Sequence, residues 1–189
     1  AAGVARCHLV GHSLGGVIAQ EALVALPERF ISATLVSTSS RVGEKAAAAW
    51  HRLADAVESR GLLESGNTTR GFSEAFVEAH FDRVAEVEAI VTVSDRHVYA
   101  EQARIAACYD YTHRLTQVEC PVLVLQGLAD RTSKPGGAVL LSREFRDARL
   151  ELIDGVGHYL HVEMGFAFAE RLERFFADVA RAQRALAPK

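Results

Sequence analysis

The sequence lacks paired cysteines, a long apolar run and a block of like charges. Its three cysteines, Cys7, Cys108 and Cys120, are odd in number and widely spaced. No leader-like segment is visible either, so we expect a reduced, cytoplasmic protein.

The longest apolar stretch, residues 14–26, is interrupted by polar side chains and is shorter than the roughly 20 residues that a bilayer span needs. The charges, 21 Lys and Arg against 24 Asp and Glu, are spread along the chain and sum to −3. Neither a membrane nor a nucleic acid is therefore an expected partner.

The spacing of histidines and cysteines also lacks a metal-site pattern. No two cysteines form a Cys-x-x-Cys pair. His8 and His12 are four residues apart, but they lie across a predicted strand end instead of on one helix face. We therefore expect no bound metal.

What the sequence does contain is the pattern of an α/β protein. Its 189 residues, 49% of them hydrophobic, suffice for one sizeable core. A short apolar run ending at Gly11 predicts a first strand, and apolar residues at helical spacing up to Pro27 predict a helix directly after it. Similar runs predict strands at residues 6–10, 33–38, 121–126 and 149–153. Such runs separated by helices are typical of a parallel sheet covered on both faces.

The long segment between the second and third predicted strands has no strand pattern and is rich in Ala, Glu and Arg. Helices are predicted at residues 45–60, 74–80 and 96–107, with Gly61, Gly66 and Gly71 breaking the first from the second. Their polar character indicates a layer that lies over another part of the protein.

The predicted organisation is one domain with an insertion. The core comprises residues 1–40 and 116–189, and residues 41–115 form a helical lid insertion. A stripe of apolar residues predicts that the last helix packs against the sheet, and residues 181–189 are expected to be a frayed tail.

The segment Gly11-His12-Ser13-Leu14-Gly15 lies where the first predicted strand passes into the first helix. A serine on so sharp a turn is lifted clear of the sheet, and we expect the turn to need residues without bulk at Gly11 and Gly15. The helix N-terminus places the backbone N–H of Leu14 where negative charge develops on a reacting carbonyl. Ser13 is therefore the candidate nucleophile and Leu14 the candidate oxyanion-hole donor.

A serine hydroxyl needs a base, and the base needs a third group that fixes its tautomer. Asp130 follows the strongest predicted strand, and His158 follows the next one. Both therefore lie in loops at the carboxyl ends of parallel strands, on the same sheet edge as Ser13. We predict that His158 is the base and that Asp130 orients it.

Other residues compete for these roles. Asp154 precedes the His158 loop too closely to reach across, and Asp147 lies before the strand. His161 is a rival base at the start of the last helix, while His12 is expected to point away from the neighbouring hydroxyl.

With these motifs the chain resembles the α/β-hydrolase superfamily over nearly its whole length, matching the C-terminal portion of that fold. The stretch from His8 to Gly16 and the sequence Pro27-Glu28-Arg29-Phe30 look like its elbow strand, helix and following turn. The order serine, aspartate, histidine is also that of the superfamily. Residues 35–43, the segment around Trp50 and residues 99–158 are most similar to the 3-oxoadipate enol-lactonase group. Cofactor-free haloperoxidase-like esterases share the same signatures.

The resemblance implies an α/β-hydrolase fold without a cofactor. It implies hydrolysis of a small ester or lactone through an acyl-enzyme formed on Ser13, with Asp130 and His158 completing the triad. Trp50, on the first lid helix, is a candidate substrate-binding wall, and a half-buried packing role is equally open to it. An acyltransferase, a perhydrolase and a C–C hydrolase would use the same triad, and a non-catalytic hydrolase-like subunit is an alternative of another class.

The sequence departs from the superfamily before the elbow. Members normally have further strands and helices there, including the loop that provides the second oxyanion-hole N–H. A fragment, a separate chain carrying the missing half and a degenerate protein are the three explanations. We favour an N-terminal partner segment or chain that completes the sheet, because an unpaired sheet edge invites aggregation.

Overall fold

The structure is a computed structural model and describes residues 3–61 and 69–186. Four strands form one sheet in sequential order, and every neighbouring pair is parallel. The strands are β1 (Cys7–His12), β2 (Phe30–Val36), β3 (Val122–Gly127) and β4 (Ala148–Ile153). The predicted parallel sheet is confirmed, with strand bounds that differ slightly from the predicted ones.

Eight α-helices accompany the sheet in the described residues. They are α1 (Leu14–Ala25), α2 (Glu44–Arg60), α3 (Glu74–Ala79), α4 (Phe81–Thr92), α5 (Arg96–Ile105), α6 (Pro135–Glu144), α7 (Leu160–Glu163) and α8 (Phe166–Leu186).

Apolar side chains of the strands alternate between the two faces of the sheet, so each face has its own core. Val124 of β3 lies in one cluster with Leu23 of α1 and Leu141 of α6. Its neighbour Leu125 lies in another cluster with Phe175 of α8. All of β3 is buried, as expected for a strand covered by helices on both faces.

The helices differ from the prediction at three places. No bounds were predicted from the sequence for helix α6, and its two glycines are poor helix formers. It begins at Pro135, because proline favours the first position of a helix. Helix α4 was not predicted. The expected frayed tail is wrong for residues 181–186, which continue α8 because Ala, Arg, Gln and Leu are strong helix formers. Residues 187–189 and Gly66 lie outside the described residues.

Helices α2 to α5 form the segment between β2 and β3. Helices α2 and α5 are joined by a small apolar cluster of Ala54, Ala100 and Ala103, against which Trp50 packs. The division into a core and a lid at residues 41–115 stays a prediction. Within the described residues, no helix is both long and apolar enough to cross a bilayer.

The two edges of the sheet differ in charge. Strand β4 carries Arg149 and Glu151, which form an ion pair at 2.6 Å, and charged residues of α8 also pair with them. Charged edge strands resist pairing with further strands. Strand β1, with the sequence CHLVGH, has no Lys, Arg, Asp or Glu, and Val10 is 43% exposed. Of the two edges, β1 is therefore the one suited to accept another strand.

We predict that Leu141→Ala destabilises the full chain by about 2–5 kcal/mol, because Leu141 is completely buried between α6 and the sheet. The matched control is Leu140→Ala on the same helix, since Leu140 is 46% exposed and its truncation should change stability by about 0.5 kcal/mol or less. Urea denaturation followed by circular dichroism measures both. Equal losses for the two variants would contradict the packing described here.

Candidate active site

Ser13 lies between the end of β1 and the first residue of α1, on a strained turn. Its backbone has φ 54° and ψ −119°, a conformation that costs a non-glycine residue free energy and is often found at functional sites. Its N–H donates to the carbonyl oxygen of Val36 at 2.9 Å, which ties the turn to the end of β2. Leu14 is the first helical residue, so its N–H has no acceptor within the helix.

Within the part of the chain that the structure describes, glycine is needed for space on one side of this turn only. A Cβ atom at Gly11 would lie 2.5 Å from the carbonyl oxygen of Gly15 and 2.9 Å from the Cβ of Ala19. A Cβ atom at Gly15 would meet nothing within 4 Å in the described residues. Among the described residues, the expectation that both glycines are needed for space therefore holds for Gly11 and not for Gly15.

The predicted acid and base are in direct contact. The Nδ1–H of His158, in the loop after β4, donates to Oδ2 of Asp130, in the loop after β3, at 2.8 Å. Both residues are 4% exposed. Because Nδ1 carries the proton in this bond, Nε2 of the neutral ring is left with a lone pair that can accept a proton.

The carboxylate of Asp130 is saturated with donors. Oδ1 accepts the N–H groups of Thr132 and Ser133, both at 2.8 Å, and Oδ2 also accepts Nε2–H of Gln126 at 3.0 Å. Burial by itself would raise the pKa of Asp130, but the hydrogen bonds from His158, Gln126 and Ser133, and the charge of His158, outweigh it and lower the pKa. The acid is therefore held ionised, as a residue that orients an imidazole must be.

The backbone carbonyl of His158 is also fixed by hydrogen bonds. Its carbonyl oxygen accepts Nε2–H of His12 and Oγ–H of Ser37, both at 2.9 Å. A carbonyl oxygen only accepts, so His12 must carry its proton on Nε2. The rings of His12 and His158 are 4.8 Å apart, which brings the residue next to Ser13 against the predicted base.

Ser13, Asp130 and His158 thus follow β1, β3 and β4 at the same edge of the sheet. The rival acids Asp147 and Asp154 are both exposed.

The remaining predicted residues lie elsewhere. The rival base His161 packs edge-on against His12, with ring centroids 5.0 Å apart, and it is His158 that reaches Asp130. Trp50 lies in the α2–α5 cluster, and its predicted contact with substrate stays a prediction.

A cleft of about 660 Å³ opens beside the acid. Its described lining includes Asp130, Arg70, Arg131 and Lys134 but neither Ser13 nor His158, so the cleft does not contain the proposed nucleophile or base. In the described residues, no cluster of three or more His, Cys, Asp or Glu side chains is arranged to hold a metal ion.

Sequence reasoning missed three supporting residues, although two left a signal. Gln126 interrupts the otherwise apolar strand β3 and is completely buried. Because a buried polar side chain needs a hydrogen-bond partner, its position in the sequence was a signal of a buried polar group nearby. Ser37 begins a polar run directly after β2, at the same sheet edge, and has a positive φ of 50°. His12 was expected only to point away from the Ser13 hydroxyl. Its contact with the carbonyl of His158, 146 residues away in the chain, leaves no local signal in the sequence.

A sequence model of the alpha/beta hydrolase family matches residues 1–171. The chain belongs to this family. The resemblance inferred from the elbow and the two loops is confirmed, and so is the α/β-hydrolase fold.

Named relatives of this α/β hydrolase include 3-oxoadipate enol-lactonase 2 of Acinetobacter baylyi, 28% identical over 165 residues, which are 86% of this chain and 61% of that protein. A RutD protein of Variovorax paradoxus, whose name proposes a carbamate hydrolase, is 30% identical over 93% of this chain and 67% of its own length. The enol-lactonase structure from Burkholderia xenovorans superimposes with a TM-score of 0.85 at 21% identity, over 92% of this chain and 66% of that one. The chain thus spans about three fifths of the first relative's length.

We predict that the folded chain loses stability as the pH falls from 6.5 towards 4, in part because of His12. Burial, and next the charge of His158, lower the pKa of His12 from 6.5 to about 4. Between these pH values the unfolded chain binds a proton at His12 that the folded chain does not, so acid favours unfolding. At pH 4 this difference in proton binding lowers the free energy of unfolding by about 3 kcal/mol relative to neutral pH.

The test is His12→Gln, which keeps a donor near the position of Nε2 but does not titrate. Denaturant unfolding at a series of pH values should show a smaller acid loss for this variant. His51→Gln, at an exposed position on α2, should keep the wild-type dependence. The assignment is wrong if His12→Gln follows the wild-type curve.

Proposed function

We propose that this α/β hydrolase cleaves a small ester or lactone through an acyl-enzyme formed on Ser13. The observation that carries the proposal is the bond between His158 Nδ1–H and Asp130, because it leaves a lone pair on Nε2 that can accept a proton. The ring of His158 also lies 4.8 Å from that of His12, the residue before Ser13. The sequence order Ser13, Asp130, His158 supports it, since this is the order of hydrolases with a nucleophile elbow.

In the proposed mechanism, Oγ of Ser13 attacks the carbonyl carbon while Nε2 of His158 takes the hydroxyl proton. The oxyanion that forms is stabilised by the N–H of Leu14 at the positive end of α1. Collapse of this intermediate breaks the bond to the leaving oxygen, which takes the proton from His158. Water, activated by the same imidazole, then releases the acid and restores the serine.

The enol-lactonase relative supports a lactone as the first substrate class to test, and the RutD relative supports a carbamate as a second. Both reactions begin with the same serine attack on a carbonyl. Product analysis with added alcohol or peroxide would separate hydrolysis from acyl transfer and from peroxyacid formation.

We predict that Ser13→Ala lowers kcat for a chromogenic short-chain ester by roughly ten-thousandfold or more, because nothing replaces the nucleophile. A fluorophosphonate probe should label the wild type and leave the variant unlabelled. Ser59→Ala, on the exposed surface of α2, is the control and should keep both properties. Equal turnover by Ser13→Ala and wild type would remove Ser13 from the mechanism.

We also propose that a strand-forming segment or partner chain pairs with the free edge of β1 and supplies a second oxyanion-hole N–H. The uncharged β1 edge and the greater length of the relatives support this. The loss of one oxyanion donor costs about a hundredfold to a thousandfold in kcat. We expect residues 1–189 alone to self-associate in native size measurements and to be poorly active. A soluble, fully active monomer of 189 residues would refute the proposal.

A further inference from the structure

Glu163 lies five residues after the proposed base, at the end of α7, and its carboxylate joins two separate parts of the chain. Oε1 accepts the N–H of Gly157, the residue before His158, at 3.0 Å. The same oxygen accepts the N–H of Ser73 at 3.1 Å, and Oε2 accepts Oγ–H of Ser73 at 2.6 Å. One carboxylate therefore binds the base loop on one side and the helical insertion on the other.

A second contact joins the same two segments. The carbonyl oxygen of Gly71, two residues before Ser73, accepts the N–H of His158 at 2.7 Å. The hydroxyl of Ser73 in addition accepts the N–H of Phe76 and caps α3. The position of His158 is thus coupled to the start of α3.

The loop that carries His158 and residues 71–74 pack so closely that there is no room for a Cβ atom at Gly157 or Gly71. A Cβ atom at Gly157 would lie 2.6 Å from Oε1 of Glu163 and 2.6 Å from the nitrogen of Ser73. A Cβ atom at Gly71 would lie 2.2 Å from the ring of Tyr159. Only glycine lets the backbones approach closely enough for these hydrogen bonds.

The insertion also reaches the acid loop. Arg131, next to Asp130, forms an ion pair with Glu74 at 2.8 Å and donates to the carbonyl oxygen of Phe72 at 3.4 Å. Residues 71–74 therefore contact the loops of both the acid and the base, and Glu163 is the carboxylate at the centre of the contact with the base.

We propose that Glu163 is a positioning residue, which couples residues 71–74 of the helical insertion to the base loop and so holds His158 on Asp130. This inference rests on the proposed function in one respect, that His158 acts as the base for Ser13. Loss of the carboxylate frees the N–H groups of Gly157 and Ser73, and the imidazole then samples orientations that do not reach the hydroxyl. Misplacement of a catalytic group by about 1 Å costs up to roughly a hundredfold in rate.

The test is Glu163→Gln in the full chain, because an amide has the same shape but turns an NH₂ group towards a donor. We expect kcat to fall by about tenfold, with little change in KM, and fluorophosphonate labelling of Ser13 to slow by a similar factor. The far-downfield proton resonance of His158 Nδ1–H should broaden or disappear. Glu170→Gln, an exposed position on α8, is the matched control and should leave all three readouts unchanged.

Ser73 provides a second pair of variants, which decides the question if Glu163→Gln does not fold. Ser73→Ala removes one donor to Glu163 and should lower the labelling rate, whereas Ser73→Thr keeps the hydroxyl and should restore it. The double variant with Glu163→Gln should be no slower than Glu163→Gln alone, because both changes break one contact.

The outcomes separate this inference from the proposed function. If the wild type does not react with ester or probe, the proposed function fails, but the Nδ1–H resonance still reports whether Glu163 holds His158 on Asp130. The inference is overturned if folded Glu163→Gln keeps the wild-type kcat, labelling rate and resonance. For the Ser73 pair, equal labelling by Ser73→Ala and Ser73→Thr would overturn it.

Discussion

The parallel direction of the four strands is the constraint on which the candidate site depends. Because neighbouring strands run the same way, the loops that follow them all open at one edge. Ser13 follows β1, Asp130 follows β3 and His158 follows β4, while β2 ends between them and contributes Ser37. His12 and His158, 146 positions apart in the chain, therefore lie in contact at this edge. An antiparallel strand at any of these positions would send its loop to the opposite edge.

Because Asp130 and His158 are buried, the candidate site needs supporting residues besides the proposed nucleophile, base and acid. A buried carboxylate is unfavourable unless donors surround it, and Asp130 has them from His158, Gln126 and two backbone N–H groups. The buried carbonyl of His158 is satisfied in the same way by His12 and Ser37. These supporting residues keep the imidazole of His158 in one tautomer and one orientation. The same hydrogen bonds therefore stabilise the buried charge of Asp130 and position His158.

The segment between β2 and β3 contacts the loops that carry the proposed acid and base. Its residues 71–74 accept the N–H of His158, bind Glu163 and contact Arg131. This segment can therefore influence the alignment of the proposed acid and base. Trp50, on α2, packs against Ala54, Ala100 and Ala103 of α2 and α5.

The sequence by itself determined the parallel sheet, the serine turn and the two loops that carry Asp130 and His158, because each rests on a local pattern of apolar runs, glycines and strand ends. It did not predict α4 or α6, in which local signals are ambiguous, and it misjudged the need for Gly15, since free space around a Cβ depends on distant backbone. Only the tertiary structure decided that Gln126, Ser37, His12 and Glu163 serve the site. Their hydrogen bonds mostly join segments far apart in sequence, and no local pattern encodes which buried polar group will find which partner.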